Sequence, residues 1–333
     1  LTLLAHGAFV TMIDKTSFDG SLDPEAYDAM GHVLHDARRL RHHFGQYPSY
    51  EVGLYFSSRT RDWAFRGSPE DYFTSFLGAH RACAMEHFQF GVLLDENVSL
   101  AALQSFPVVC LPNVAIVSDR EVKLLRQYVR GGGNLLVTGQ TGQFGPRGQP
   151  LQESMLSDLI GGRVVQRLST QDNWISVPEG RVMTLQVAGQ LTEDLRMDWP
   201  FLVKGPASVY EPGSANIVGR LYRPHRTTRQ QEGSMSTEWP MSFDKPAGPA
   251  MLVNRYGKGM VITCAASPDY ATASEHAIVA SRVLFRNAVR ALLPSRRVRI
   301  DAPANVEAIV TDDPQSRQLR VHLLAYNSTP RTT

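Results

Sequence analysis

Few side chains here are spaced for chemistry, and each grouping has a competing structural use. A nucleophilic thiol needs a base within reach at an exposed turn. The three cysteines, Cys83, Cys110 and Cys264, are scattered without pairing or metal spacing. Cys110 sits inside the apolar run Val108 to Leu111 and reads as a small buried hydrophobe. His276 opens a helical stretch with no evident partner. His32, His35, His42 and His43 share one segment, but no carboxylate or cysteine completes a ligand set beside them, so no metal site is predicted. Gly131-Gly132-Gly133 precedes an apolar run instead of following one and opening a helix, so it reads as a helix stop, not a phosphate cradle. Arg38-Arg39-Leu40-Arg41 reads as a solvated face. The segment Arg59-Thr60-Arg61-Asp62-Trp63 is more suggestive. It follows the strand-like run Val52 to Phe56 at its carboxyl end, where open α/β sheets bind ligands. Arg59 and Trp63 are the binding candidates there, with packing as the alternative use.

The elements that position these residues follow from composition and pattern. The chain has 333 residues, 34 Lys+Arg against 32 Asp+Glu, a net charge of +2, and 43% apolar and 20% charged residues. Those values fit about two ordinary globular domains and exclude disorder, collagen and coiled coil. Near-neutral charge argues against a nucleic-acid partner, which requires a basic face. No run approaches about 18 apolar residues, so no membrane-spanning helix is predicted. Leu1 to Ile13 has no basic leader and no small-residue cleavage site, so it reads as the interior of a longer protein. The cysteine usage excludes a disulfide scaffold and leaves the compartment open.

Along the chain, Phe9 to Ile13 predicts a short strand ending at Asp14. Asp23-Pro24 then opens a helix with Tyr27, Met30, Val33, Leu34 and Ala37 on one face. From Glu51 an α/β pattern begins. Strands are predicted at Val52 to Phe56, Phe90 to Leu94, Val108 to Leu111 and Asn134 to Thr138. Helices open at Ser68-Pro69 and at the capping box Ser118-Asp119-Arg120-Glu121. That alternation predicts a parallel sheet covered on both faces. Residues 139–150 form a long loop, and Met155 to Ile160 a short helix. Residues 163–243 read as an irregular β-rich insertion. Met251 to Asn254 and Met260 to Cys264 form a hairpin, followed by a helix from about Glu275 to Leu293. Val298 to Ile300, Val306 to Val310 and Leu319 to Leu324 read as antiparallel strands, too few to close a sheet of normal size.

The order of these pieces resembles the back half of the family 42 β-galactosidases and their glycoside-hydrolase relatives. Four segments carry the resemblance. Leu4-Ala5-His6-Gly7-Ala8 leads into an apolar run. Val108-Val109-Cys110-Leu111-Pro112 is followed by Ser118-Asp119-Arg120-Glu121. Gly131-Gly132-Gly133-Asn134-Leu135-Leu136-Val137-Thr138-Gly139 is the third. Gly257-Lys258-Gly259 with Val321-His322-Leu323-Leu324-Ala325-Tyr326-Asn327 is the fourth. The resemblance implies an α/β chain of three parts. Residues 1–46 would be the last β/α unit of a (β/α)8 TIM barrel. Residues 47–294 would be a flavodoxin-like, glutamine amidotransferase-like trimerisation domain with an insertion at about 163–245. Residues 295–333 would begin a small β-sandwich.

The same resemblance implies hydrolysis of an O-glycosidic bond by two carboxylates, both carried upstream of Leu1, so no catalytic residue is expected in this chain. Barrel sites lie at the C-terminal ends of strands, which makes Asp14, Lys15 and Asp19 candidates for the pocket rim; capping or solvation is their alternative use. The family carries an aromatic and basic cluster where this chain has Asp14-Lys15, so the sugar stays open. Arg59 and Trp63 become candidates for contacting it. The expected partners are a carbohydrate, bound through the full-length protein, and further copies of the chain in a homotrimer. No cofactor is implied. Two alternatives stand beside this reading: a non-enzymatic binding or scaffold module of amidotransferase-like fold, and an amidase or hydrolase using the α/β domain itself. The latter lacks a cysteine on the turn Gly139-Gln140-Thr141-Gly142.

Overall fold

A computed structural model of the chain describes residues 2–168, 172–177, 186–195, 199–222, 246–274, 278–293 and 295–325. The chain divides into two compact units, Leu1–Ser49 together with Val298–Thr333, and Tyr50–Arg297.

The first unit opens with α1 (Thr2–Ala5) and α2 (Pro24–Arg39). The α2 start is as its residues dictate. Asp23 caps it, accepting from the backbone N–H of Glu25 and Ala26 at 3.0 and 3.3 Å, and Pro24 takes the first turn, where no N–H is needed. None of its side chains is buried, and Tyr27, Val33 and Leu34 stay exposed. The predicted strand at Phe9 to Ile13 does not form. Residues 8–17 follow no regular structure, and Phe9 and Ile13 are each 88% exposed. A strand needs a neighbour to receive its backbone groups, and none stands beside this run among the described residues. Tyr47–Pro48 forms the two-residue strand β1.

The second unit begins with β2 (Val52–Phe56), α3 (Pro69–Met85), β3 (Phe90–Leu94), α4 (Leu100–Gln104), β4 (Val108–Leu111), α5 (Asp119–Gly131) and β5 (Asn134–Thr138). All but α4 are the predicted α/β elements, within a residue or two at their ends. The capping box is complete. Ser118 Oγ accepts from Glu121 N, Glu121 Oε2 accepts from Ser118 N at 2.8 Å, and the helix closes at Gly132 in the left-handed region. Then come α6 (Ser157–Ile160), β6 (Gly162–Leu168), β7 (Asp172–Ser176), α7 (Gln186–Thr192), β8 (Phe201–Lys204), β9 (Ala207–Pro212), β10 (Asn216–Tyr222), β11 (Gly248–Tyr256), β12 (Gly259–Cys264), α8 (Pro268–Ala273) and α9 (Val279–Leu292).

Nine strands form one sheet in the order β3-β2-β4-β5-β12-β11-β10-β7-β8. The first five pair in parallel, and the remaining pairings are antiparallel. Val52, Leu54, Val108, Val109, Leu135 and Leu136 are fully buried, as expected where helices cover both faces. The insertion is β-rich: β7, β8 and β10 continue the main sheet, while β6 and β9 form their own ladder. Residues 223–245 of it lie outside the described residues. Of the helix expected from about Glu275, α9 is described from Val279, with Leu284, Phe285, Ala288 and Val289 buried, and α8 precedes it; residues 275–277 lie outside the described residues. His276 lies outside the described residues. Gly78 on α3 lets the backbones of α3 and α8 meet, since a Cβ there would fall 1.8 Å from the Asp269 carbonyl oxygen. Buried Glu51 ties the unit's two ends together: its carboxylate accepts from Gln89 N and Arg297 N and lies 3.4 Å from Arg296 Nη2.

The chain returns to the first unit with β13 (Val306–Asp313) and β14 (Gln318–Ala325), an antiparallel pair to which β1 adds a third strand. Val298 to Ile300, expected as a strand, has no ladder partner among the described residues and forms none. Within this unit His6 Nε2 lies 3.2 Å from Glu307, and Phe44 stacks on His322 with ring centroids 5.1 Å apart. Tyr326 and Asn327 lie outside the described residues.

Candidate functional site

The sequence candidates fall into two groups, one in each unit. In the first unit Asp14, Lys15 and Asp19 sit on the segment between α1 and α2. Lys15 is exposed. Asp14 is half-buried, and its Oδ2 has no hydrogen-bond partner among the described residues. Asp19 holds a turn. Its Oδ1 accepts from Ser21 Oγ at 2.6 Å and Ser21 N at 3.0 Å, and these bonds hold the carboxyl below its ordinary range.

In the second unit Arg59 and Trp63 follow β2 at the carboxyl edge of the parallel sheet. Residues Thr60–Ala64 form a single wide π-type turn. Ser57 anchors it: its Oγ donates to Asp95 Oδ2 at 3.2 Å and accepts from Thr60 N at 3.1 Å. Thr60 Oγ1 in turn accepts from Ile116 N at 3.1 Å. Arg59 reaches two buried acids. Its Nη2 lies 2.6 Å from Glu121 Oε2, its Nε 3.6 Å from Asp95 Oδ2, and its backbone N–H donates to Asp95 Oδ2 at 3.2 Å. Glu121 Oε1 also accepts from the Tyr55 hydroxyl, and burial together with the Glu121 charge pushes that phenol far above its usual range. Arg59 is thus committed to the capping acid of α5. Trp63, on the same turn, is half-exposed. The loop 139–150 seats on this turn: a Cβ on Gly148 would fall 2.3 Å from the Trp63 carbonyl oxygen.

A third grouping lies beneath, where β4, β5 and β12 end, and none of its residues was a sequence candidate. Asn113, at positive φ, gives its N–H to Thr138 Oγ1 at 3.0 Å and receives Gln140 N on Oδ1 at 3.0 Å. Thr138 Oγ1 donates to Asp269 Oδ2 at 2.8 Å. Thr141 Oγ1 accepts from Val114 N at 2.9 Å, and Gln143 Nε2 donates to Ser208 Oγ at 2.9 Å. Asp269 is fully buried, its Oδ1 has no partner among the described residues, and burial pushes its carboxyl up to about 7. The one available hint was the polar run Thr138 to Gln143 directly after an apolar strand; its partners come from distant segments. Cys83, Cys110 and Cys264 are all buried, and burial pushes their thiols up, so they are held protonated and away from solvent. Among the described residues no three His, Cys, Asp or Glu side chains are grouped to hold a metal ion, and no helix is long and apolar enough to cross a membrane. The arrangement can present an exposed aromatic ring on a rigid turn; its buried acids brace that turn and the sheet edge.

This fold recurs in solved glycosidases. The α-L-fucosidase isoenzyme 2 of Paenibacillus thiaminolyticus superposes with a TM-score of 0.76 at 16% identity, over 99% of this chain and 46% of its own. The β-galactosidase of Rahnella sp. R3 gives 0.66 at 16% identity, over 94% and 41%. That of Bacillus circulans sp. alkalophilus gives 0.62 at 14% identity, over 89% and 39%. The chain therefore spans less than half the length of these enzymes, and at such identity the likeness concerns fold. No protein-family model matches the chain, and no curated protein matches its sequence.

Proposed function

We propose that this chain is the non-catalytic assembly and pocket-rim part of a glycoside hydrolase, its two catalytic carboxylates carried by a barrel outside these residues. The observation that carries the reading is coverage: nearly the whole chain superposes on less than half of a glycosidase. Glycoside hydrolysis requires two carboxylates about 5–9.5 Å apart across an open cleft. The buried acids of the larger unit do other work: Asp95 and Glu121 hold Arg59, and Asp269 is sealed. Parallel strands that run second, first, third, fourth, fifth in chain order support a flavodoxin-like domain. The bare apolar run Phe9 to Ile13, followed by a helix with no buried face, suits a last barrel strand and helix without their neighbours. On this reading Asp14 and Lys15 contribute to the rim, Asp19 and Arg59 brace their loops, and Trp63 stacks on sugar.

The test is a panel of nitrophenyl glycosides offered to this chain and to the full-length polypeptide. The chain alone is expected to turn over none, and the full-length polypeptide at least one. Hydrolysis by the chain alone would overturn the proposal. No turnover by either would favour the scaffold module of amidotransferase-like fold, which the same strand order supports. The amidase alternative is disfavoured by the sealed thiols.

A further inference from the structure

The larger unit ends in an open sheet edge of unusual composition. Among the described residues β3 has no neighbour on its outer side. Its sequence, Phe90-Gly91-Val92-Leu93-Leu94, carries no Lys, Pro or bulge, the devices that ordinarily keep an edge from pairing. Phe90, Val92 and Leu94 share one face of the strand, since side chains alternate. Phe90 meets His80 of α3 ring to ring at 4.8 Å, so this is the face that α3 covers. Phe73, Leu77 and His80 follow one another on α3 at helical spacing. Leu94 pairs with Phe56, whose ring lies 6.0 Å from that of Phe73. Strand and helix therefore merge into one continuous apolar strip, with Leu77 54% and Val92 50% exposed.

The strip's ends carry opposite charge. Phe73 lies toward the Leu94 end and His80 at the Phe90 end, so α3 runs antiparallel to β3. Exposed Glu70, one turn before Phe73, and exposed Glu96, two residues past Leu94, mark the first end, where Arg61 over the Phe56 ring is already paired with Asp62; exposed Arg81 beside His80 marks the other. A half-turn about an axis perpendicular to the sheet, passing beside Val92 just outside the open edge, lays β3 antiparallel against its own copy and α3 beside its own copy. It sets Val92 opposite Val92 and the Glu70 end against the Arg81 end. An isologous interface requires such a self-complementary patch.

We propose that a second copy of this chain docks here, β3 to β3 and α3 to α3, joining two nine-stranded sheets into one. The proposal does not depend on the glycosidase reading. It is tested by sedimentation velocity on the chain, with circular dichroism to check folding. The wild-type chain is expected to sediment as a dimer, and Val92→Lys and Leu77→Glu, both at exposed positions, as folded monomers. Glu70→Lys and Arg81→Glu should each weaken the dimer about tenfold, and the double variant should restore it to within a few-fold, because only the paired change recovers both contacts. Val92→Cys should give a covalent dimer on mild oxidation, since the native thiols are buried. A wild-type monomer at about 100 μM, a trimer indifferent to Val92→Lys, a double variant no better than the single ones, or no disulfide at position 92 would each overturn the proposal.

Discussion

Asp269 holds a proton that an unfolded chain would have given up. Its ordinary value is 3.8 and burial pushes it up to about 7, so between those limits the folded state binds the extra proton. Stability from this group is full below about 4 and is lost as pH rises through about 7, at about 1.4 kcal/mol per pH unit. Asp269→Asn keeps the shape without the charge. Urea midpoints at pH 5 and pH 8 should fall less for the variant than for the wild type, and the variant should be the more stable protein at pH 8. Parallel profiles would contradict the assignment. Arg59 makes the complementary case. Arg59→Met leaves Asp95 and Glu121 in the protein with only neutral donors. Losing a buried pair's partner costs about 3–5 kcal/mol, and the partly exposed guanidinium lowers the expectation to about 2 kcal/mol. Glu121→Gln added to it should recover part of that loss, measured by the same midpoints.

Glycine contacts decide how the elements pack. Gly78→Ala drives a Cβ into the Asp269 carbonyl, which neither backbone can yield without parting α3 from α8; a loss of at least about 2 kcal/mol is expected in thermal or urea unfolding. Gly31 in α2 has nothing within 4 Å of its Cβ position. Gly31→Ala should therefore be neutral or stabilise, by up to about 1 kcal/mol. These opposite signs were not legible in the sequence, where both are glycines inside amphipathic helices. Other features were. The α5 box and the Asp23-Pro24 start are local hydrogen-bond chemistry, written within four residues. The buried strands are apolar runs of the right length. The Phe9 to Ile13 run failed because strand propensity supplies no neighbour to pair with. That the β-rich insertion extends the main sheet was not legible, because sheet membership depends on β10 and β11 meeting, which no window of sequence contains. The place of Arg59 and Trp63 at the sheet's carboxyl edge was legible from their position after a strand. The Thr138–Asp269 layer was not, because its members are 131 residues apart.

At the scale of the molecule, the proposed function predicts a division of labour. Trp63→Ala in the full-length polypeptide should raise KM for a glycoside with little change in kcat, because a stacking platform binds ground and transition states alike. An unchanged KM would remove Trp63 from the rim. The oligomer test is separate, because Val92→Lys touches neither Trp63 nor the acids around Arg59.

The pairing of β1 with β13 has a consequence for synthesis. Pro48 lies against Thr311, so the smaller unit is sewn from both ends of the chain while the larger unit is one unbroken stretch between them. At about 5–20 residues per second, some 15–50 s of translation separate the two halves of that ladder. The nascent chain must therefore hold Tyr47 and Pro48 unpaired while the whole larger unit is made, until their partner strand leaves the ribosome.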